Sequence, residues 1–366
     1  MLIVWGFSGL NGEPGTPVVT LAELADLAGF AMAGAVAAQP HPDHGAYLDW
    51  VDRGLAGEMG YLADRRASVR ADARELLPAA RSVVCVAKAY HGPECYSTRF
   101  DDSARGWISR YAWGDDYHNA VRRGLAELAS RMTEAWGPHE WRALADTAPL
   151  LERSYARSAG LGWIGRNQCL IDERWGSWFF LGALLTSHEI AEGAPAADRC
   201  GTCRRCIDAC PTRALVPNAA APGGWELDSR LCISYLTIEL RGPIPEPLRE
   251  GVGRHLFGCD ICQDVCPWNE RLLRYPLPAA DPAFRPREGL FAPPLAEMAA
   301  LTPQEFQRLF RGTPVTRARY HGFLRNVAVA MGNSGRAEFR EPLEKLAGHE
   351  SAVVAEHARW ALERLR

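Results

Sequence analysis

Apolar positions recur along this chain with two different periods, and the changes of period set out its elements. From Tyr117 to Trp136 the residues Val121, Leu125, Leu128, Met132 and Trp136 are spaced by three and four, which predicts an amphipathic helix. The run from Arg81 to Tyr90 (RSVVCVAKAY) is instead continuous and rich in β-branched residues, and it predicts a buried strand. Further strands are expected at Trp107 to Trp113, Trp141 to Ala145, Cys169 to Asp172 and Trp178 to Thr186. Thr20-Leu-Ala-Glu23 has the capping-box pattern of a helix start, and Gly29 can end that helix. Shorter helices are expected from His44 to Arg53 and from Leu150 to Ala159, the second closed by Gly160. Strands alternating with helices argue for an α/β fold, with a layered domain over 1–192 that opens on an irregular Gly- and Pro-rich lead-in at 1–17. A second unit follows over 193–275. A third, 276–366, begins with a linker carrying Pro276, Pro278, Pro282, Pro286, Pro293 and Pro294. Beyond it, Thr302-Pro-Gln-Glu305 starts a helix, and three more are expected near 320–332, 339–347 and 351–365, an all-α, HEAT-like tail.

Composition narrows the classes. With 366 residues, 47% of them hydrophobic and 23% charged, the chain is of ordinary globular make-up. A net charge of -3 gives no bulk attraction to nucleic acid, so an RNA partner requires a local basic face. No run reaches the roughly 20 apolar residues of a membrane span. The apolar start, Met1 to Phe7, is short and has no basic lead, so it makes a poor signal peptide. A cytoplasmic protein, monomeric by preference, is the expectation.

Eleven cysteines change the picture. The chain reads Cys200-Gly-Thr-Cys203-Arg-Arg-Cys206-Ile-Asp-Ala-Cys210-Pro211, then Cys232 alone, then Cys259-Asp-Ile-Cys262-Gln-Asp-Val-Cys266-Pro267. The first run is the C-x2-C-x2-C-x3-C-P spacing of bacterial two-cluster ferredoxins, in which the fourth Cys ligates the other cluster. Eight thiolates suffice for two [4Fe–4S] cubanes, with Cys200, Cys203, Cys206 and Cys266 on one and Cys210, Cys232, Cys259 and Cys262 on the other. A pair of zinc sites also uses C-x2-C pairs but explains neither the third Cys nor the Cys-Pro that ends both runs. Of the cysteines left over, Cys85 lies in the strand-like run and reads as core, Cys169 also reads as core and not as a ligand, and Cys95 has no assigned role.

Two such clusters form a one-electron relay. A simple carrier would not need about 190 residues ahead of them, so the front domain is expected to hold a second redox centre and a substrate. No G-x-G-x-x-G follows a strand; Gly160-Leu-Gly162-Trp-Ile-Gly165 follows a helix, so a dinucleotide site is unsupported. The run from Asp146 to Asn167 (DTAPLLERSYARSAGLGWIGRN), the two cysteine runs, Cys232-Ile-Ser234-Tyr-Leu-Thr, Gly57-Glu-Met-Gly60-Tyr-Leu and Tyr111-Ala-Trp-Gly-Asp-Asp-Tyr-His118 together resemble the epoxyqueuosine reductases, over about residues 20–366. The resemblance implies a base-off cobalamin in the front domain, two [4Fe–4S] clusters, and two-electron removal of an epoxide oxygen from the wobble base of tRNA to give queuosine. It also implies an external one-electron donor of flavodoxin or ferredoxin type. The rivals are a reductive dehalogenase-like enzyme with the same cofactors, and a corrinoid-binding electron-delivery protein that does no chemistry.

Residue by residue, the resemblance makes Asp146 the proton donor, with a carboxyl pKa expected to be raised by burial over the corrin. Asp146 also suits the cap of the helix that follows it. Arg70, Ser109, Asn167, Leu170, Leu181, Ser234 and Asp260 fall at positions near the cofactor. Asp116-Tyr-His118 lacks the glycine of the D-x-H-x-x-G cobalt-ligand motif, so no histidine on the cobalt is expected and His118 reads as a surface or loop residue. For RNA, Arg308, Arg311, Arg317, Arg319 and Arg325 against Glu305 give the tail a local charge of +4, and Arg65, Arg66, Arg70 and Arg74 form a second basic run.

Overall fold

A computed structural model describes residues 19–274 and 281–365. The lead-in at 1–17 and the prolines at 276 and 278 lie outside the described residues.

The front domain is built on a four-stranded sheet. Its strands are β1 (Met32–Ala37), β2 (Ser82–Ala89), β3 (Trp141–Leu144) and β4 (Phe179–Thr186), in the order β1-β2-β4-β3, every pair antiparallel. The continuous apolar run is the central strand β2. Cys85 pairs with Gly34 on one side and Ala183 on the other, and Val83 to Ala87 are all shielded from solvent. Alternation then feeds two cores. Val84 and Val86 meet Val121, Leu125, Leu128 and Met132 of helix α1 (Tyr117–Trp136). Val83, Cys85 and Ala87 meet Tyr155 and Ala156 of helix α2 (Glu152–Ser158) on the other face. Gly182 in β4 lets α1 lie close to the sheet, since a Cβ there would come within 2.6 Å of Val121 Cγ1.

Three strand expectations are corrected. The sequence reading passed over β1, whose Met-Ala-Gly-Ala-Val-Ala is poor in β-formers and becomes a strand because β2 offers a free edge. The expected 107–113 strand shrinks to Trp107–Ile108 and pairs in parallel with His255–Phe257, outside the main sheet. The stretch at 169–172 supplies only Leu170–Ile171, a small hairpin partner of Trp163–Ile164.

Behind the front domain, each cysteine run turns through a single helical turn, Arg205–Asp208 and Ile261–Asp264, ended by its Cys-Pro. The tail helices are α3 (Tyr320–Asn333), α4 (Arg340–Ala347) and α5 (Ala352–Arg364). They share one apolar core with Trp107, Ile108, Trp113, Leu256 and Phe257. Arg325 and Asn326 of α3, both fully buried, fasten the tail to the cysteine region. Arg325 donates to the carbonyls of Leu240, Gly242 and Leu236, and Asn326 to those of Thr237 and Leu256.

Candidate active site and thiol centres

Asp146 stands just past β3, in the turn that leads to α2. Its φ is +52°, a left-handed value that a short polar residue tolerates better than most. Its N–H donates to Glu152 Oε1 at 2.7 Å, and its Oδ2 accepts from His118 Nε2 at 3.2 Å. The other ring nitrogen of His118 lies 2.6 Å from Asp116 Oδ1, so a carboxylate–imidazole–carboxylate line runs across the start of α1. Tyr117 stacks on His118 at 4.2 Å and on Phe180 at 4.3 Å, which holds the line against β4. The Asp146 side chain keeps 59% of its exposure, so the recess is open.

This environment overturns three expectations. Burial does push the Asp146 carboxyl up, but the hydrogen bond and charge of His118 outweigh it, with Tyr117 and Arg317 assisting, and the carboxyl sits below its ordinary value. His118 is no stray surface residue. Burial lowers it, yet its bonds to Asp146 and Asp116 prevail and raise its pKa. Asp146 does not cap α2 either: Leu151 is the N-cap residue and offers no side-chain bond. Glu152, pushed up to about 8 by burial and by the Asp146 charge, was missed altogether in the sequence, where it reads as an ordinary first-turn acid.

The expected cofactor residues fall into sets. Ser109 and Asp260 are bonded to each other, and Asp260, 1% exposed, also accepts from Trp107 Nε1 and the N–H of Arg110. Gly258, at φ +69°, allows this approach, because a Cβ there would come within 2.6 Å of Ser109 Cβ. Asn167 donates to the carbonyl of Cys262 at 3.3 Å. These three therefore gather at the thiols of the second group. Ser234 is in the first turn of the short helix after Cys232. Leu170 is buried beside Ile171, and Leu181 is half-buried against the α2 face of the sheet. Arg70 lies apart, on the Tyr47 ring at 5.5 Å, and its Nη1 is buried with no protein partner. Tyr111 joins the recess to the thiols: burial raises its pKa, followed by the charges of Asp146 and Asp260.

The thiols themselves sort into two groups. Cys206 is pushed up to about 12 by burial and then by Cys266, Cys200 and Cys203, whereas Cys259 is raised by burial and then by Cys232 and Cys210. Cys262 is raised first by its neighbour Cys169, a thiol the sequence reading left as core, then by burial and by Cys259 and Cys232. Beside the first group the indole N–H of Trp163 is buried without a hydrogen-bond acceptor among the protein's own oxygens and nitrogens, packed with Cys200, Cys266 and Trp268. Two sets of neighbouring, mostly half-buried thiols, one with a spare donor beside it, suit the sulfur-rich, electron-dense surface of a cubane.

The basic residues also divide. Arg308, Arg311, Arg317 and Arg319 are exposed, and Arg317 reaches the recess, paired with Glu239 at 2.9 Å and lying over Tyr61 at 5.3 Å. Arg325 is removed from the expected RNA face, since its charge is spent on buried carbonyls. In the second run Arg66 and Arg74 pair with Asp64 and Asp72, and Arg70 is buried.

Comparison with known proteins bears on both halves. Residues 199–269 match the family model of the 4Fe-4S double cluster binding domain, and residues 70–147 match that of Epoxyqueuosine reductase QueG, DUF1730. An epoxyqueuosine reductase of Xanthomonas campestris is 40% identical over 91% of this chain and 92% of its own. One of Pseudomonas aeruginosa is 40% identical over 88% and 87%. The chain belongs to the epoxyqueuosine reductase family. It is accordingly an oxidoreductase with a double [4Fe–4S] domain. Among solved structures, an epoxyqueuosine reductase with an epoxyqueuosine-modified tRNA-Tyr stem loop superposes with a TM-score of 0.83 at 27% identity, over 94% of this chain and 89% of the other. The Bacillus subtilis epoxyqueuosine reductase with its catalytic aspartate loop swung out of the active site gives a TM-score of 0.80 at 26% identity, over the same shares. The family assignment also ranks the reductase reading above that of a dehalogenase.

Proposed function

We propose that this chain reduces epoxyqueuosine to queuosine at the wobble position of tRNA, using cobalamin, the two clusters, and Asp146 as the proton donor. Overall, both C–O bonds of the epoxide break and a C=C bond forms; two electrons and two protons are consumed and water leaves. When bound, the corrin supplies a cobalt centre that collects electrons arriving singly and delivers them to the substrate. The chain's own residues do the rest. The buried, unpartnered Nη1 of Arg70 fits a polar group on the rim of such a cofactor. Ser109, Asn167, Ser234 and Asp260 line the side facing the second thiol group, and Leu170 and Leu181 offer apolar surface.

The observation that carries the acid–base part is the Asp116–His118–Asp146 line opening on the recess. With His118 raised and Asp146 lowered, a proton shared by the pair rests on the imidazole. The imidazole passes that proton to Asp146, which hands it to the substrate oxygen, and the second proton comes from solvent, so that the two groups act as one acid. An external one-electron carrier of flavodoxin or ferredoxin type feeds the first thiol group, whose loop residues Gly201, Thr202, Arg204 and Arg205 are exposed. Exposed Arg308, Arg311, Arg317 and Arg319 meet RNA phosphates, and the wobble nucleotide leaves its stack to enter the recess. The reaction belongs in the cytoplasm, where its tRNA is found.

The test is Asp146→Ala in anaerobically purified protein. Visible spectra should still show corrinoid and iron–sulfur bands, while conversion of epoxide-bearing tRNA, followed by mass spectrometry of its nucleosides, should fall by about 10²–10⁴-fold, the usual reach of general acid catalysis. Undiminished conversion would remove Asp146 from the chemistry and favour a protein that only binds and delivers.

A further inference from the structure

We infer that Glu152 is the positioning residue for Asp146: its carboxyl latches the backbone of the 145–151 turn so that the aspartate stays directed at His118. The inference rests on the reading of Asp146 as the acid. Three observations support it. Asp146 is one of only five non-glycine residues with positive φ among those described, a less favoured conformation that an added bond helps to hold. The hold on its N–H is the 2.7 Å bond to Glu152 Oε1, six residues further on. Glu152 in turn stands on the first turn of α2, a helix fixed to the sheet by Tyr155 and Ala156, which are 0% and 1% exposed. A first-turn glutamate ordinarily serves the N–H groups of its own helix. Here Leu151, the N-cap residue, offers no side-chain bond, and Glu152 reaches back across the turn instead.

Within the turn the backbone bonds are local, Thr147 N–H to the carbonyl of Ala145 and Leu150 N–H to that of Ala148, and α1 holds it only through side chains, His118 on Asp146 Oδ2 and Arg122 on Thr147 Oγ1 at 2.9 Å. Loss of the Glu152 bond therefore frees the Asp146 backbone and leaves the turn held by those side chains alone. The Bacillus subtilis relative with its aspartate loop swung out of the active site is consistent with a turn that has two positions. Burial and the Asp146 charge hold Glu152 at about 8, so near neutral pH it is mostly a neutral acid accepting through its carbonyl oxygen, which glutamine can imitate.

Hydrogen–deuterium exchange on the cofactor-loaded protein tests this directly. In Glu152→Ala the 145–151 segment should exchange about ten-fold faster while α1 is unchanged, the effect of one lost hydrogen bond. Turnover should fall about ten-fold with KM for tRNA within about two-fold, because the acid is misplaced and the RNA contacts are not. Glu152→Gln should restore both to within about two-fold of the parent. If Glu152→Ala loses iron, Glu152→Asp, which withdraws the acceptor by one methylene, carries the same expectation. Unchanged exchange, an equal loss in Glu152→Gln, or faster exchange with full turnover would each overturn the latch. Failure of the acid reading is read elsewhere, in full activity of Asp146→Ala, and leaves the exchange result intact.

Discussion

The thiol region and the Asp146 recess are the two halves of the proposed catalyst, yet they are encoded differently. Seven of the eight thiols lie in two short runs, and each run closes on a helical turn and a Cys-Pro, so the double-cluster domain is legible from chain spacing. The recess draws Asp116 and His118 from the start of α1, Asp146 from the end of β3, Glu152 from α2 and Arg317 from the tail. Spacing conveys the identity of ligands. It does not convey protonation, which depends on neighbours that only the fold brings together.

The largest effect expected from that contrast is at a single thiol. Cys262→Ala should cost one whole cluster, halving the iron per chain, and abolish turnover on tRNA, since a relay with one member missing passes no current. Electron paramagnetic resonance of the reduced protein should then show one cluster signal instead of two interacting ones. A variant that retained full iron would mean that Cys169, the thiol neighbouring Cys262, steps in as a ligand.

His118→Gln probes the recess. It should lower turnover by about 10²-fold, because Asp146 loses its proton supply. Stability should change with pH in a defined sense. His118 is raised above 6.5 on folding, so its contribution is full below that value and fades as pH rises through the raised one. Asp146 is lowered below 3.8, so its contribution is present above 3.8 and is lost as pH falls through the lowered value. The stability gap between parent and variant should thus be widest between these two ordinary values and narrow on either side. With Asp146 still 59% exposed, the gap stays below about 1 kcal/mol. A flat difference in urea melts from acid to alkaline pH would show that the ion pair does not form.

What could be read in advance follows the same division. The amphipathic helix at 117–136 and the central strand at 82–89 were legible because one element explains each pattern. The strand Met32–Ala37 was not, since alanine and glycine carry no β signal and the edge of β2 decides the matter. His118 was judged against a cobalt-ligand motif it does not satisfy, while its role comes from an aspartate 28 residues away. Asp146 was expected to be raised because only burial was weighed, and the imidazole that reverses the sign lies on another element.

The arginines bring the comparison down to its smallest effect. Arg325 and Arg317 occur eight residues apart in one basic stretch, and sequence treats them alike. Arg325 is fully buried, and its guanidinium supplies donors to three carbonyls of the cysteine region. Its replacement by alanine strands those acceptors, and about 3 kcal/mol of stability should go with them, at one or more per orphaned group. Arg317 is exposed at the lip of the recess, and its pairing with Glu239 is a surface ion pair worth little to the fold. Arg317→Ala should leave the melting temperature within about a degree and raise KM for tRNA only a few-fold, with a shallower dependence of KM on salt, as the loss of one phosphate contact requires. The opposite pattern, a destabilised Arg317 variant with unchanged KM, would move the RNA off this lip and onto the exposed arginines at 308 and 311, where the same salt titration would then find it.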